Sequence, residues 1–178
     1  MSMKKVGSIE VYELDENLDK YTRKEREEYI NELFKQEYQG KEISYLLNGE
    51  EIKALINKTT RKNFTQLRHS HGQLETFNEF KKRQDIAFSN DFIPLISNAN
   101  FKRQSLEHYT GQSDNHRQNN HWYYFNKIIF CNDNLYNVII DILERNGNYY
   151  IYNTKLKEVD ARALNPGMIS TSSTTNIS

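Results

Sequence analysis

The chain is short of most residues that build special chemistry. Its 178 residues include one cysteine, two prolines and seven glycines. The single Cys131 cannot close a disulfide within the chain or build a cysteine zinc site. Net charge is also missing, since 24 Lys plus Arg balance 24 Asp plus Glu. That balance excludes a polybasic protein held on nucleic acid by bulk charge, but not one with a local basic cleft. No apolar run reaches the length of a bilayer span, and the N-terminus has no apolar signal-peptide region. A soluble, cytoplasmic chain with no membrane partner is the expectation. Neither GxGxxG nor GxxxxGK[ST] occurs, nor a G-x-S-x-G nucleophile elbow.

Aromatic side chains are plentiful, with 12 Tyr and 9 Phe. They supply the core material that a polar chain otherwise lacks, enough for a single domain over residues 1–178. Gly7 to Leu14 alternates as a short strand does. Thr22-Arg23-Lys24-Glu25 has the spacing of a capping box, and Tyr29, Ile30, Leu33, Phe34 and Tyr38 follow on one helical stripe that Gly40 can stop. Two apolar runs, 42–47 and 51–56, flank Asn48-Gly49 and read as a hairpin. A helical reading of the second run also fits, because Lys53, Ala54 and Leu55 favour helix. Thr59-Thr60 can start a helical turn through Arg61 and Lys62. Gln73 to Asn90 reads as a second helix with Leu74, Phe77, Phe80 and Lys81 on one side and Phe88 repeating on it. Pro94 and the asparagines around Ala99 end the apolar segment 92–96.

Residues 102–121 offer almost nothing to bury and read as a polar loop. Behind them, 122–131, 135–143 and 149–156 are rich in β-branched and aromatic residues, separated by Asn132-Asp133-Asn134 and by Asn146-Gly147. Three strands joined by tight turns make an antiparallel meander. Residues 157–178 read as a tail or an edge strand, and an unpaired edge would favour dimerisation. The expected fold is α+β, with a mainly helical part over 1–101 packed on a C-terminal antiparallel sheet.

The histidines are His69, His71, His108, His116 and His121. His69 and His71 would share one side of an extended segment, yet no third ligand stands at a recognisable spacing, so no metal and no cofactor is expected. Two clusters mix imidazole with cations: Arg61, Lys62, Arg68, His69 and His71, then His116, Arg117, His121, Tyr123 and Tyr124. Guanidinium or ammonium for charge, imidazole for proton transfer and aromatic faces for bases together suit phosphate chemistry on RNA. The plainer reading is sheet packing for the tyrosines and solvation for Arg117. Cys131 follows an apolar run and is expected to be buried rather than nucleophilic.

The order of Tyr38 to Phe64 (YQGKEISYLLNGEEIKALINKTTRKNF), Phe92 to Phe101 (FIPLISNANF), His121 to Leu156 (HWYYFNKIIFCNDNLYNVIIDILERNGNYYIYNTKL) and Ser170 to Ser178 (STSSTTNIS) resembles a known group. It is similar to the nuclease domains of the barnase–EndoU–colicin–RelE-like superfamily, as found in phage and mobile-element polyvalent proteins and polymorphic toxins. The resemblance implies a metal-independent endoribonuclease, in which the ribose 2′-OH attacks the adjacent phosphate. It assigns catalytic roles to His69, His121, Tyr123, Thr171 and Ser172 and substrate contacts to Arg61, Lys62 and Ser173, and the two clusters add Arg68, His71 and Arg117 as substrate contacts. The implied partners are RNA and an immunity or phage structural protein. The alternative is a non-catalytic RNA- or protein-binding accessory domain.

Overall fold

The computed structural model of the chain describes residues 3–7, 9–14, 16–66, 75–105 and 120–160. Strand β1 (Met3–Val6) turns through Gly7 into β2 (Ile9–Tyr12), a strand inside the stretch expected from 7–14. The capping box forms as spaced: Thr22 Oγ1 accepts from the Glu25 amide at 3.1 Å, and Glu25 Oε1 accepts from the Thr22 amide at 3.1 Å. Helix α1 (Arg23–Leu33) begins there, continues through a wide π-type turn over Phe34–Tyr38, and stops at Gly40 with φ 98°. Only glycine takes that φ without steric cost. The hairpin reading holds. β3 (Glu42–Leu47) and β4 (Glu50–Leu55) pair across Asn48 and Gly49, at φ 52° and 84°.

Helix α2 (Lys58–Phe64) starts one residue before Thr59, because Asn57 caps it and Thr60 closes the box. Helix α3 (Phe77–Phe88) is capped by Thr76 and Glu79. Phe77, on the expected apolar stripe, is 52% exposed, and the buried face runs through Phe80, Arg83, Gln84, Ile86 and Ala87. Gln73 and Leu74 lie outside the described residues. The segment 92–96 closes into α4 (Phe92–Ile96). Then come β5 (Asn100–Ser105), β6 (Asn120–Cys131), β7 (Asn134–Arg145) and β8 (Asn148–Glu158). The polar loop expected over 102–121 is corrected at both ends. Its first residues pair with β6, and Asn120 and His121 already belong to β6.

The meander β6-β7-β8 is present, but the sheet around it is mixed. The strand path is β1-β2-β6-β7-β8-β4-β3, with β5 also on β6. β2 joins β6 in parallel and β4 joins β8 in parallel, so the purely antiparallel C-terminal sheet is corrected to one of eight strands. The reason lies in length: strands of 11 or 12 residues expose long outer edges, and the N-terminal hairpins cover part of each. The sheet curls so that β3 approaches β5, and the Tyr45 ring of β3 comes within 4.9 Å of the Phe125 ring of β6. Helices fill the inside of the curl. Phe34, Phe64 and Phe92 meet there at centroid distances of 4.5 to 5.4 Å, all essentially buried. Each such ring contributes about 1.5–3 kcal/mol by leaving water.

Beyond its short pairing with β4, the outer edge of β8 is closed by side chains. Thr60 donates to the Ile151 carbonyl, and Asn63 donates to that of Tyr152 at 2.6 Å. Glu75 accepts from the Leu156 amide at 2.9 Å, and Glu79 accepts from the Glu158 amide at 2.5 Å. Arg83 holds Glu75 in turn, at 2.8 and 3.0 Å, with both side chains 1% exposed.

Candidate functional site

The turns of the meander set its register, and the register builds a row. Cys131 pairs with Asn134 and Arg145 with Asn148, so each turn has two residues. Counting outward, His121 on β6 stands opposite Glu144 on β7, and Glu144 stands opposite Tyr149 on β8. Directly opposed side chains in a sheet have Cβ atoms about 5 Å apart. Tyr123, two residues along β6 on the same face, donates its hydroxyl to Glu144 Oε1 at 2.8 Å. Its ring lies 6.0 Å from that of Tyr149.

Tyr123 is buried, while His121, Glu144 and Tyr149 are half-buried. Burial and then the hydrogen bond and charge of Glu144 push the Tyr123 phenol up, so it stays a donor at neutral pH. The same causes, burial first, raise Tyr149, with a further contribution from the Glu50 carboxylate. His121 Nδ1 is buried and makes no hydrogen bond. A carboxylate that two phenols hold as an acceptor, facing an imidazole with a ring nitrogen to spare, is a proton-transfer arrangement.

Of the site residues expected from sequence, His121 and Tyr123 come together here. Arg61 is engaged elsewhere: its guanidinium donates to Asn31 at 3.0 Å and Gln39 at 3.2 Å, on α1 and just past its end. Lys62 is exposed on α2. Arg68, His69, His71, Arg117, Thr171, Ser172 and Ser173 lie outside the described residues, as do His108 and His116. Tyr124 points to the other sheet face, where Arg103 stacks 4.2 Å from its ring centre. Cys131 is buried, and burial pushes its thiol up to about 11. Among the described residues, no group of three or more His, Cys, Asp or Glu could hold a metal ion. Nor is any described helix long and apolar enough to cross a membrane.

Glu144 and Tyr149 were not singled out from sequence. Tyr149 opens a strand read only for its β-branched and aromatic content, and Glu144 lies one residue past the strand expected over 135–143. The signal that finds them is the pair of two-residue turns, because counting from Asn132-Asp133 places Glu144 opposite His121 and counting from Asn146-Gly147 places Tyr149 opposite Glu144. No family model, curated protein or solved structure matches the chain.

Proposed function

We propose that the protein is a metal-independent endoribonuclease whose acid–base pair is His121 and Glu144. The observation that carries this reading is the row His121–Glu144–Tyr149, with the Tyr123 hydroxyl fixed on the same carboxylate. In the proposed step the 2′-oxygen bonds to phosphorus while the bond to the 5′-oxygen breaks. Glu144 takes the proton from the 2′-hydroxyl, and His121 gives one to the departing 5′-oxygen. The products are a 2′,3′-cyclic phosphate and a free 5′-hydroxyl. Tyr123 and Tyr149 keep the carboxylate aimed. Of the cations, Arg117 stands four residues before His121 and is the candidate for the phosphoryl oxygens.

The test is incubation of purified protein with total RNA and labelled tRNA in EDTA. Cyclic phosphate ends that appear despite chelation, and disappear in His121→Ala and Glu144→Gln, would support the reading. A folded protein that leaves RNA intact, or one that cleaves only without EDTA, would overturn it. In the second reading, a non-catalytic RNA- or protein-binding accessory domain, one feature favours the protein-binding form. The carboxylates of Glu144 and Glu50 both act on Tyr149, and that density of negative charge disfavours a phosphate. This second reading predicts binding without product.

A further inference from the structure

The meander has a second face, turned away from the core that the helices fill. Along β6 the core residues Tyr123, Phe125 and Ile129 alternate with Trp122, Tyr124, Ile128 and Phe130, which belong to that outer face. Toward the Asn132-Asp133 turn it carries six half-buried apolar side chains: Ile9 and Val11 on β2, Ile128 and Phe130 on β6, Leu135 and Ile139 on β7. Val11 pairs with Phe130 and Phe130 with Leu135, so the patch is continuous across three strands. None of the six packs against the core cluster that takes in the helices. A continuous apolar patch on an outer sheet face marks an interaction surface.

Charge fits this face to a copy of itself. Asp133 is exposed in the turn at one end of the patch. Beyond the other end Arg103, exposed on β5, lies 4.2 Å from the ring centre of Tyr124, its partner on β6. Neither makes an ion pair among the described residues. Arg103 and Lys155 also outnumber the buried Asp141 at that end. A two-fold axis lying across the strands at the Ile128–Asn137 pair exchanges the two ends. It sets Ile139 against Leu135 of the second copy and brings Asp133 of the second copy to the level of Tyr124 and Arg103.

We propose that the chain forms a symmetric dimer through this outer face, sheet packed on sheet, with Ile128 at the centre and an Arg103–Asp133 pair at each end. The His121–Glu144 row shares its face with Tyr123 of the inner core, so the dimer stands whether or not that row is catalytic.

The experiment is sedimentation of the full chain across a dilution series. The expected result is the mass of two chains at high concentration, falling to one on dilution. Ile128→Lys places a charge at the centre and should weaken the dimer about tenfold or more. Arg103→Gln and Asp133→Asn alter exposed positions, keep the turn conformation that asparagine tolerates, and test the register should Ile128→Lys fail to fold. Each should weaken the dimer, and the double variant should weaken it no further than either alone. A chain that stays monomeric throughout would overturn the proposal and leave the patch to another occupant. A dimer of unchanged strength in folded Ile128→Lys, or additive losses in the double variant, would overturn it as well.

Discussion

The two ends of β8 use glutamate in opposite ways. At the C-terminal end, Glu75 accepts from the Leu156 amide and from Arg83, and Glu79 from the Glu158 amide, the Thr76 amide and Lys157. Their oxygens are satisfied by backbone and by cations, so neither can exchange a proton without opening a strand edge. At the N-terminal end, Glu144 holds phenols and faces His121, whose Nδ1 makes no hydrogen bond. Phenols restrain a carboxylate without neutralising it. On the proposed function, saturation separates a structural carboxylate from a chemical one better than burial does, since both kinds sit against the same strand.

The largest expected effect falls on the unsaturated end. Glu144→Gln and His121→Ala should each lower RNA cleavage by about 10²–10⁴-fold, the range for losing a positioned acid or base. Urea melts of both variants should stay close to the parent. Were cleavage to survive while the melts collapsed, Glu144 would belong with Glu75. At the saturated end the order reverses. Arg83→Met leaves the Glu75 charge buried and the Phe64 and Gln66 carbonyls short of a donor, and should destabilise by about 3–5 kcal/mol in urea. Cleavage per folded molecule should be unchanged.

These two regions were not equally readable from sequence. The Thr22 cap, the Asn48-Gly49 hairpin and the meander announce themselves through local chemistry that tertiary packing did not override. β5 (NFKRQS) carries no apolar alternation and is a strand only because β6 offers an edge. The parallel joins of β2 and β4 depend on contacts far apart in sequence, which periodicity cannot encode. His121 and Tyr123 were visible as residue types, whereas Glu144 and Tyr149 needed a register. Arg61 misleads because its basic group serves α1, a use that residue type does not reveal.

Asp141 tests the comparison from a third position. It lies buried at a bulge in the β7–β8 pairing, with Oδ1 unpartnered and Lys155 only at 4.0 Å from Oδ2. Burial pushes its carboxyl up to about 6 from 3.8, against the pull of Lys155 and Arg103. Because the folded value is the higher one, the native chain holds a proton between about pH 4 and 6 that the unfolded chain has lost. The destabilisation is thus absent in acid, grows through that window and is complete above it. Asp141→Asn should stabilise by about 1–3 kcal/mol at pH 7 and by nothing near pH 3.5, read from urea melts at both. A variant less stable at pH 7 would mean that the charge is satisfied after all, and that saturation had been misjudged.

The smallest expected effect comes from two capping boxes of identical spelling, Thr-x-x-Glu at Thr22–Glu25 and at Thr76–Glu79. Each glutamate accepts from its own cap amide, but only Glu79 also holds β8, through the Glu158 amide and Lys157. Burial alone would raise the Glu79 carboxyl, yet the Thr76 and Glu158 amides and Lys157 together hold it below its ordinary 4.5. Its contribution is then present above that value and lost as pH falls below it. Glu79→Ala should cost about 1–2 kcal/mol at pH 7, and the loss should shrink on acidification. Glu25→Ala, on an exposed turn, should cost less, and paired melts at pH 7 and pH 3 measure the difference. Equal losses would show that the β8 bonds add nothing beyond the cap, and that closing this strand edge rests on Glu75 and Arg83 alone.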